Sequence, residues 1–397
     1  MKLTNRYLFF LFLKIGATSW GGFMALIAVI QKQMSELDNA IEEREIVHAV
    51  SLASVLPGPM AVNVVAYIGY KLKGWKGAFI SIAAVLLPCF LLMLALSYFY
   101  FRYGNMLSFA LFFKGIAPAV AAIVLNVAVT MQKKNVTDVY QVIIASASVA
   151  ALLLLHSPYT TLLIICVSGL AGYFIYRKKE LNASLQSVSF FISKNKRKVY
   201  AAYVAALLLI VAFFYFLSFQ TTAPVHLYSR LVFTFSGLSL SQFGGGYVVI
   251  PSMQKLIVDG LHWLSQQQFT DAIALGQITP GPIYISAAFV GYKLEGVTGA
   301  FVATAAMFVP SALLMIFCAR FLNRIAKAPA VVSAFKGIGA AITGMVGATA
   351  IMLLSNAQTA YLPLLVLFII CFFLSYQFKI TPVFLIPLAG IAGAIIY

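Results

Sequence analysis

Residues 54–72 read SVLPGPMAVNVVAYIGYKL, an apolar run that carries two prolines around one glycine. Proline has no backbone N–H, and its ring clashes with the carbonyl four residues before it, so an α-helix breaks at such a place. Residues 277–294 read QITPGPIYISAAFVGYKL and repeat the same break. The sequence therefore predicts two broken helices, each inside an otherwise apolar segment.

The composition indicates a membrane protein. Of 397 residues, 62% are hydrophobic and 9% are charged, and the mean hydropathy is +0.97, whereas about 25% of the residues of a soluble domain are charged. Apolar runs of about 20 residues, the length of a transmembrane helix, follow one another almost throughout. They lack the alternation of apolar and polar residues that transmembrane β-strands require. We therefore expect an all-α polytopic protein embedded in a lipid bilayer.

The distribution of charge and of cysteine excludes other classes of protein. The net charge is +17, but the basic residues form short clusters between apolar runs, as in cytoplasmic loops that face anionic lipid. This placement argues against a nucleic-acid partner. The cysteines lie far apart inside apolar segments, without a spacing typical of metal sites, at Cys89, Cys166, Cys318 and Cys371. We expect neither a metal ion nor another cofactor.

The chain contains two copies of one unit. Shifting the sequence by 223 aligns Gly21-Gly22 with Gly244-Gly245, and Pro57-Gly58-Pro59 with Pro280-Gly281-Pro282. After one deletion the shift is 222, and the second copy continues in the same order well beyond the PGP motif. Such self-similarity indicates a fused duplication. We predict a first repeat over 1–176, a basic cytoplasmic connector over 177–198, and a second repeat over 199–397 that begins with one extra helix.

The charged loops predict that the two repeats cross the membrane in opposite directions. The loop KLKGWKG at 71–77 is basic, its counterpart KLEGVTG at 293–299 is neutral, and basic loops face the cytoplasm. We expect about thirteen transmembrane helices as two inverted-topology repeats, with the N-terminus inside and the C-terminus outside. The expected spans are 7–34, 46–70, 77–100, 106–131, 139–155, 158–176, 199–218, 229–258, 270–292, 298–319, 331–354, 361–376 and 381–397. The alternative for 46–70 is a re-entrant hairpin.

Helices broken at matching places in inverted repeats are typical of secondary transporters, whose sites lie near the middle of the membrane. Pro59 and Pro282 can begin new half-helices, and the N-terminus of a helix binds anions through its N–H groups and partial positive charge. The predicted substrate site combines the PGP motifs, the glycine pairs, one asparagine and two lysines: Gly21, Gly22, Pro57, Gly58, Pro59, Asn63, Lys114, Gly244, Gly245, Gly246, Pro280, Gly281, Pro282 and Lys336.

Each group has a simpler interpretation as well. The glycines can serve helix packing alone, and the two lysines can extend to the membrane surface or pair with carbonyl groups. His48 and Asp271 are candidates for a proton relay, but Asp271 can also be a helix N-cap. No grouping of a nucleophile with a base lies within the apolar segments, so we do not expect an enzyme.

Four stretches carry a resemblance to a known family: SWGGFMALIAVIQ at 19–31, VLPGPMAVNVVAYIGYKLKGWKGA at 55–78, FGGGYVVIPSMQ at 243–254 and ITPGPIYISAAFVGYKLEGVTGA at 278–300. Over nearly its whole length the chain resembles the chromate ion transporter family in its long, two-domain form. The resemblance implies export of chromate across the bacterial inner membrane and resistance to chromate, with sulfate as a structural analogue. A transporter of sulfate or another oxyanion and an anion channel remain alternatives. A homodimer is a further expectation.

Overall fold

The computed structural model describes residues 4–20, 23–35, 43–104, 107–155, 157, 160–186, 227–243, 246–325, 329–355 and 361–396. Every regular element in these ranges is helical. The α-helices are α1 Asn5–Thr18, α2 Phe23–Ser35, α3 Glu43–Val55, α4 Met60–Tyr103, α5 Leu107–Asn135, α6 Val139–Leu154, α7 Thr160–Gln186, α8 Leu227–Ser241, α9 Val249–Met253, α10 Gln266–Ile278, α11 Ser286–Ile325, α12 Pro329–Ser355, α13 Tyr361–Tyr376 and α14 Pro382–Ile396. Short 3-10 turns cover Gly246–Val248 and Ile283–Ile285, and a π-helix covers Gln254–Gly260.

Hydropathy makes this fold a polytopic membrane protein. Five segments within the described ranges are long and apolar enough to cross a bilayer: Met60–Tyr103, Leu111–Asn135, Thr160–Lys178, Ile283–Cys318 and Pro329–Ser355. Shorter apolar helices cover Val139–Leu154, Leu362–Tyr376 and Pro382–Ile396. The all-helical class expected from the sequence is confirmed. The expected span 199–218 lies outside the described residues.

The two halves share their unusual backbone turns. Gly58 has φ +105° and Gly281 has φ +112°, and the two positions are related by the shift of 223. Gly74 and Gly296, with φ +60° and +59°, are related by the shift of 222 and kink the long helices α4 and α11 at matching places. Residues with a Cβ rarely adopt these angles. The shifts are those of the sequence repeat, so the repeated residues also repeat the conformation.

Each PGP motif forms the tip of a helical hairpin rather than a break within one crossing. In the first, residues 43–73, the Lys71 ammonium lies 3.4 Å from the Glu45 carboxylate, so the far ends of the two arms meet. In the second, residues 266–295, Lys293 Nζ donates to Gln268 Oε1 at 2.7 Å. Helix α3 has 13 residues, about 20 Å, which is too short for a bilayer core of about 30 Å.

These hairpins correct the expected continuous spans over 46–70 and 270–292. The count of apolar residues gave the correct segments, but it carried no information about the direction of the chain after the break. Gly58 and Gly281, through their positive φ angles, reverse that direction. The hairpin weighed for 46–70 as the alternative is therefore the conformation found.

The segment from the start of α8 to the end of the π-helix also reverses its direction. The Arg230 guanidinium, near the start of α8, lies 5.8 Å from the centre of the Trp263 ring. Trp263 belongs to the loop that follows the π-helix, and Gln254 in that π-helix donates to Gln266 at the start of α10, at 3.0 Å. Residues 227–260 therefore return to the side on which they begin, whereas the sequence predicted one crossing over 229–258.

The long helices that follow the hairpins run antiparallel to each other. Trp75, at the start of the second part of α4, packs on Phe317, near the end of α11, with ring centroids 5.2 Å apart. Phe90, further along α4, packs on Phe301, near the start of the second part of α11, at 6.4 Å. Contacts that advance along one helix while they recede along the other require opposite directions.

The remaining helices of each half pack on those of the other half. A Cβ on Gly337 in α12 would lie 2.9 Å from Gly172 Cα in α7, and a Cβ on Gly115 in α5 would lie 2.6 Å from Gly393 Cα in α14. Glycine is required for such close approach between helix backbones. Gly115 and Gly337 correspond in the repeat, so both halves use glycine at the same position for close helix packing.

Candidate anion-binding site

The two PGP turns are held in place by reciprocal hydrogen bonds between the halves. Gly58 N–H donates to the Gln242 carbonyl at 2.7 Å, and Gly281 N–H donates to the Ser19 carbonyl at 2.8 Å. Ser19 and Gln242 correspond in the repeat by the same shift as the two glycines. Each acceptor lies just before the glycine motif of its own half. The PGP turn of each half therefore contacts the residue that follows the preceding helix of the other half, Gln242 after α8 or Ser19 after α1.

The surroundings of the two turns are also related, although they are not equally tight. A Cβ on Gly58 would overlap the Ser311 side chain, whereas a Cβ on Gly281 would lie 3.5 Å from Cys89 Sγ. Cys89 and Ser311 correspond in the repeat, and each follows a proline inside its long helix. The PGP turn of each half therefore packs against the corresponding long helix of the other half.

A small pocket lies between the two turns, and its empty space, including the open mouth, is about 480 Å³. The described residues that line it come from the beginning of the helix after each PGP motif, from the 3-10 turn at Gly246, from the end of α10 and from the start of α14. They are Pro59, Met60, Ala61, Gly246, Tyr247, Gly276, Gln277, Gly281, Pro282, Ile283, Tyr284 and Pro382.

Two helix N-termini thus border one pocket. Pro59 and Pro282 are the N-cap residues, and neither has a side-chain cap. In α4, Asn63 N–H donates to the Pro59 carbonyl at 3.0 Å and begins the helical bonding pattern. The N–H groups before it have no partner within the helix, and each N-terminus carries about half a positive charge. The arrangement is suited to an anion.

Gln277 is one of three pocket residues with polar side chains that the sequence did not predict, together with Tyr247 and Tyr284. Its side chain is 8% exposed, and neither its Nε2 nor its Oε1 has a hydrogen-bond partner among the described residues. Buried amides are nearly always paired, which makes this one unusual. Its position three residues before a predicted break was the available signal. Its counterpart in the first half, Ser54, does not line the pocket, so the pocket is asymmetric.

Asn63, a predicted site residue, stabilises the first PGP turn from outside the pocket. It is fully buried, and its Nδ2 donates to the Pro57 carbonyl at 3.1 Å. Its Oδ1 has no partner among the described residues. The bond links the two sides of the turn, so Asn63 positions Pro59 at the pocket wall.

The two predicted lysines do not line the pocket. Both side chains are half-buried. Lys336 Nζ lies 5.6 Å above the ring of Tyr176 in α7, and the Tyr176 hydroxyl donates to Asp138 at 2.6 Å. Asp138 is the N-cap of α6, so Lys336 extends toward a helix end. The structure does not bring Lys336 into contact with the PGP turns.

Of the two proton-relay candidates, the structure describes the side chain of Asp271. It is 1% exposed and accepts hydrogen bonds from the Tyr100 hydroxyl at 2.7 Å and from Gln267 Nε2 at 2.9 Å. The N-cap of α10 is Ser265, in a capping box with Gln268, so the alternative N-cap role for Asp271 is wrong. The His48 side chain lies outside the described residues, as do Gly21, Gly22, Gly244 and Gly245.

The fold and the pocket define a class of protein. A polytopic helical membrane protein with two copies of one unit, and with broken helices that meet at one small pocket, is a membrane transporter. The sequence profile of the chromate transporter family matches residues 6–173 and again residues 229–394. The chain therefore belongs to the chromate transporter family, and it is a transporter, not an enzyme.

Similar proteins occur in archaea and bacteria. The chain is 32% identical to an uncharacterized transporter of Methanocaldococcus jannaschii, over 78% of this chain and 74% of that protein. It is 28% identical to a probable chromate transport protein of Synechococcus elongatus, over 97% and 94%. It is 27% identical to a chromate transport protein of Cupriavidus metallidurans, over 99% and 94%. No solved structure matches the chain significantly.

Proposed function

We propose that this protein exports chromate, or a closely related tetrahedral oxyanion, from the cytoplasm through the pocket between the two PGP turns, and that it thereby confers resistance to chromate. The observation that carries the proposal is the presence of two uncapped helix N-termini at one pocket. Family membership and relatives named as chromate transport proteins support the choice of substrate. The protein acts in the bacterial cytoplasmic membrane.

Backbone groups make most of the contacts to the anion in this proposal. The N–H groups after Pro59 and Pro282 donate to its oxygens, and the two helix ends together supply about one positive charge. The glycines of both GG motifs let the chain approach the same anion closely. Lys114 and Lys336 act through their charge at a distance, because neither lines the pocket.

The two halves have inverted topology in this proposal. The antiparallel contacts of α4 and α11 and the reciprocal glycine hydrogen bonds support it, as does the charge difference between the loops at 71–77 and 293–299. Each half then has two hairpins followed by four crossings. With the extra helix that the sequence predicts over 199–218, the proposed number of crossings is nine rather than thirteen. In each half, two of the predicted crossings become hairpins that return to the side on which they begin. Because an even number of crossings is lost, the connector 177–198 stays in the cytoplasm.

Such a symmetric pair of halves provides alternating access. Two equivalent arrangements, related by exchange of the roles of the two halves, open the pocket to one side of the membrane and then to the other. In this proposal the two halves move relative to each other about the two PGP turns, which the reciprocal hydrogen bonds of Gly58 and Gly281 hold in place. No contact among the described residues bears on a homodimer, and this route needs one chain only.

The membrane potential is sufficient to drive the export of a dianion. Each charge that crosses 100 mV contributes about 2.3 kcal/mol, so a dianion leaving a negative interior gains about 4.6 kcal/mol. At about 1.4 kcal/mol per decade, this sustains a gradient on the order of a thousandfold. Sulfate has the same shape and charge, and backbone N–H groups alone distinguish the two poorly, so sulfate is the second candidate substrate.

The test is the chromate content of metabolically active, chromate-sensitive bacteria with and without this protein, over a series of external sulfate concentrations. Export predicts a lower chromate content in the expressing cells at every sulfate concentration. Equal or higher chromate content, accompanied by altered sulfate flux, would assign the pocket to sulfate instead. A Gly58→Ala variant expressed to the same level in the membrane is the control, because it changes the turn that carries the site.

A further inference from the structure

Gln277 has a property that the backbone groups of the pocket lack, since it can both donate and accept a hydrogen bond. Its side chain is more than nine-tenths buried and lines the pocket. Both the Nε2 donor and the Oε1 acceptor are without a partner in the described part of the chain. Because both atoms are unpartnered, the conclusion does not depend on which is assigned as oxygen and which as nitrogen.

The ligand that satisfies both atoms must carry an acceptor oxygen and an O–H group. A fully deprotonated oxyanion satisfies the donor but places its negative oxygens against the amide carbonyl. A singly protonated oxyanion accepts from Nε2 with one oxygen and donates to Oε1 with its hydroxyl. Chromate takes up a proton near neutral pH, whereas sulfate remains a dianion until the solution is strongly acidic.

We propose that Gln277 binds the transported anion directly and selects its singly protonated form, hydrogen chromate, over the dianions chromate and sulfate. This inference rests on the proposed function of the same pocket. It supplies the discrimination that backbone N–H groups cannot provide. One charge instead of two then leaves the cell in each cycle, so a potential of about 100 mV sustains a gradient of about fiftyfold.

The proton belongs to the ligand in this scheme, and the residues around Gln277 allow that to be tested. Among the described residues that line the pocket, only the two tyrosines, Tyr247 and Tyr284, can titrate. On the same helix, Asp271 is engaged by Tyr100 and Gln267. Other described charged side chains lie on four elements that pack against α10. They are the Lys255–Asp259 ion pair on the π-helix, Lys293 and Glu295 on α11, Lys71, Lys73, Lys76 and Arg102 on α4, and Lys114, Lys133 and Lys134 on α5. Helix α14 also packs against α10, and its described residues carry no charge.

The experiment uses purified full-length protein in proteoliposomes, with radiolabelled chromate and radiolabelled sulfate as probes, between about pH 6 and pH 8. For the wild type, the apparent affinity for chromate falls about tenfold per pH unit above the pKa of hydrogen chromate, because one proton is bound with the anion. Sulfate competes weakly at every pH. Gln277→Met, which keeps the length of the side chain, lowers the affinity for chromate by about tenfold or more.

Gln266→Met is the matched control, because Gln266 lies on the same helix but does not line the pocket. It leaves the affinity for chromate unchanged. Equal effects of the two substitutions, or a wild-type affinity that does not change with pH, would overturn the inference. The same holds if Asp271→Asn abolishes the pH dependence while Gln277→Met retains it, since the proton would then reside on the protein. If the wild type moves neither anion at any pH, the proposed function itself fails.

Discussion

The two PGP turns have nearly the same backbone conformation but unequal space around their central glycines. Alanine substitutions at the two glycines should therefore separate the cost of backbone strain from the cost of steric overlap. Gly58 and Gly281 have φ angles of +105° and +112°, so alanine at either position is strained by about 1–3 kcal/mol. At Gly58 the added Cβ also overlaps the Ser311 side chain and lies 3.3 Å from the Ser239 carbonyl oxygen. At Gly281 the nearest atoms are Cys89 Sγ at 3.5 Å and Cβ at 3.6 Å, an ordinary contact.

The expected losses follow from these contacts. Overpacking adds about 1–3 kcal/mol, so Gly58→Ala should lower the free energy of unfolding by about 2–6 kcal/mol, and Gly281→Ala by about 1–3 kcal/mol. Gly74 and Gly296 serve as controls, because their φ angles are +60° and +59° and a Cβ there would meet nothing within 4 Å. Their ψ angles of −152° and −144° lie in a region that essentially only glycine populates, so alanine at either should cost about 1–3 kcal/mol, and the two costs should be equal.

The assay is denaturant unfolding of the purified variants in one detergent, supported by melting temperatures. The double variant Gly58→Ala with Ser311→Gly removes the atoms that the new Cβ overlaps, although glycine within the helix itself costs about 1 kcal/mol. The loss of stability in the double variant should therefore be about 1–3 kcal/mol smaller than the sum of the losses in the two single variants. Equal losses at Gly58 and Gly281, or additive effects of the two substitutions, would refute the reasoning.

Three further predictions concern charge and topology. Lys336→Gln should leave the affinity for chromate unchanged and slow transport several-fold at low ionic strength, an effect that high salt removes; a loss of affinity like that of Gln277→Met would mean that Lys336 contacts the anion. Asp271→Asn should raise the melting temperature, because a neutral amide avoids the cost of burying a carboxylate and keeps a group that bonds with Tyr100 and Gln267; a lower melting temperature would contradict this. Accessibility reporters within 177–198 and at the C-terminus should report opposite sides of the membrane, and the inverted topology fails if they report the same side.

The general character of the fold was predictable because it depends on local properties. Apolar length and low charge identify membrane helices wherever they lie in the chain. The absence of an N–H group in proline located both breaks, and the identical spacing of the motifs in the two halves paired them. The start of a half-helix at Pro59 and at Pro282, both of which lie at the pocket wall, followed from the same chemistry.

The direction of the chain after each break was not predictable, because proline interrupts a helix without determining whether the chain continues or returns. That depends on the φ angle of Gly58 and on its bond to Gln242, which belongs to the other half of the chain. The lysines show the same limit. Position along a helix placed Lys336 at depth, but its nearest described aromatic partner, Tyr176, also belongs to the opposite half.

The sequence by itself determined the class of protein, its duplication and the places where its helices break, since each depends on residues close together in the chain. Only the tertiary structure decided that the breaks are hairpin tips, that the two N-termini share one pocket, and that Gln277 lines it without a described partner. Those features arise from contacts between the halves, and the two copies of the unit are similar enough that the sequence does not reveal which residues of one face which residues of the other.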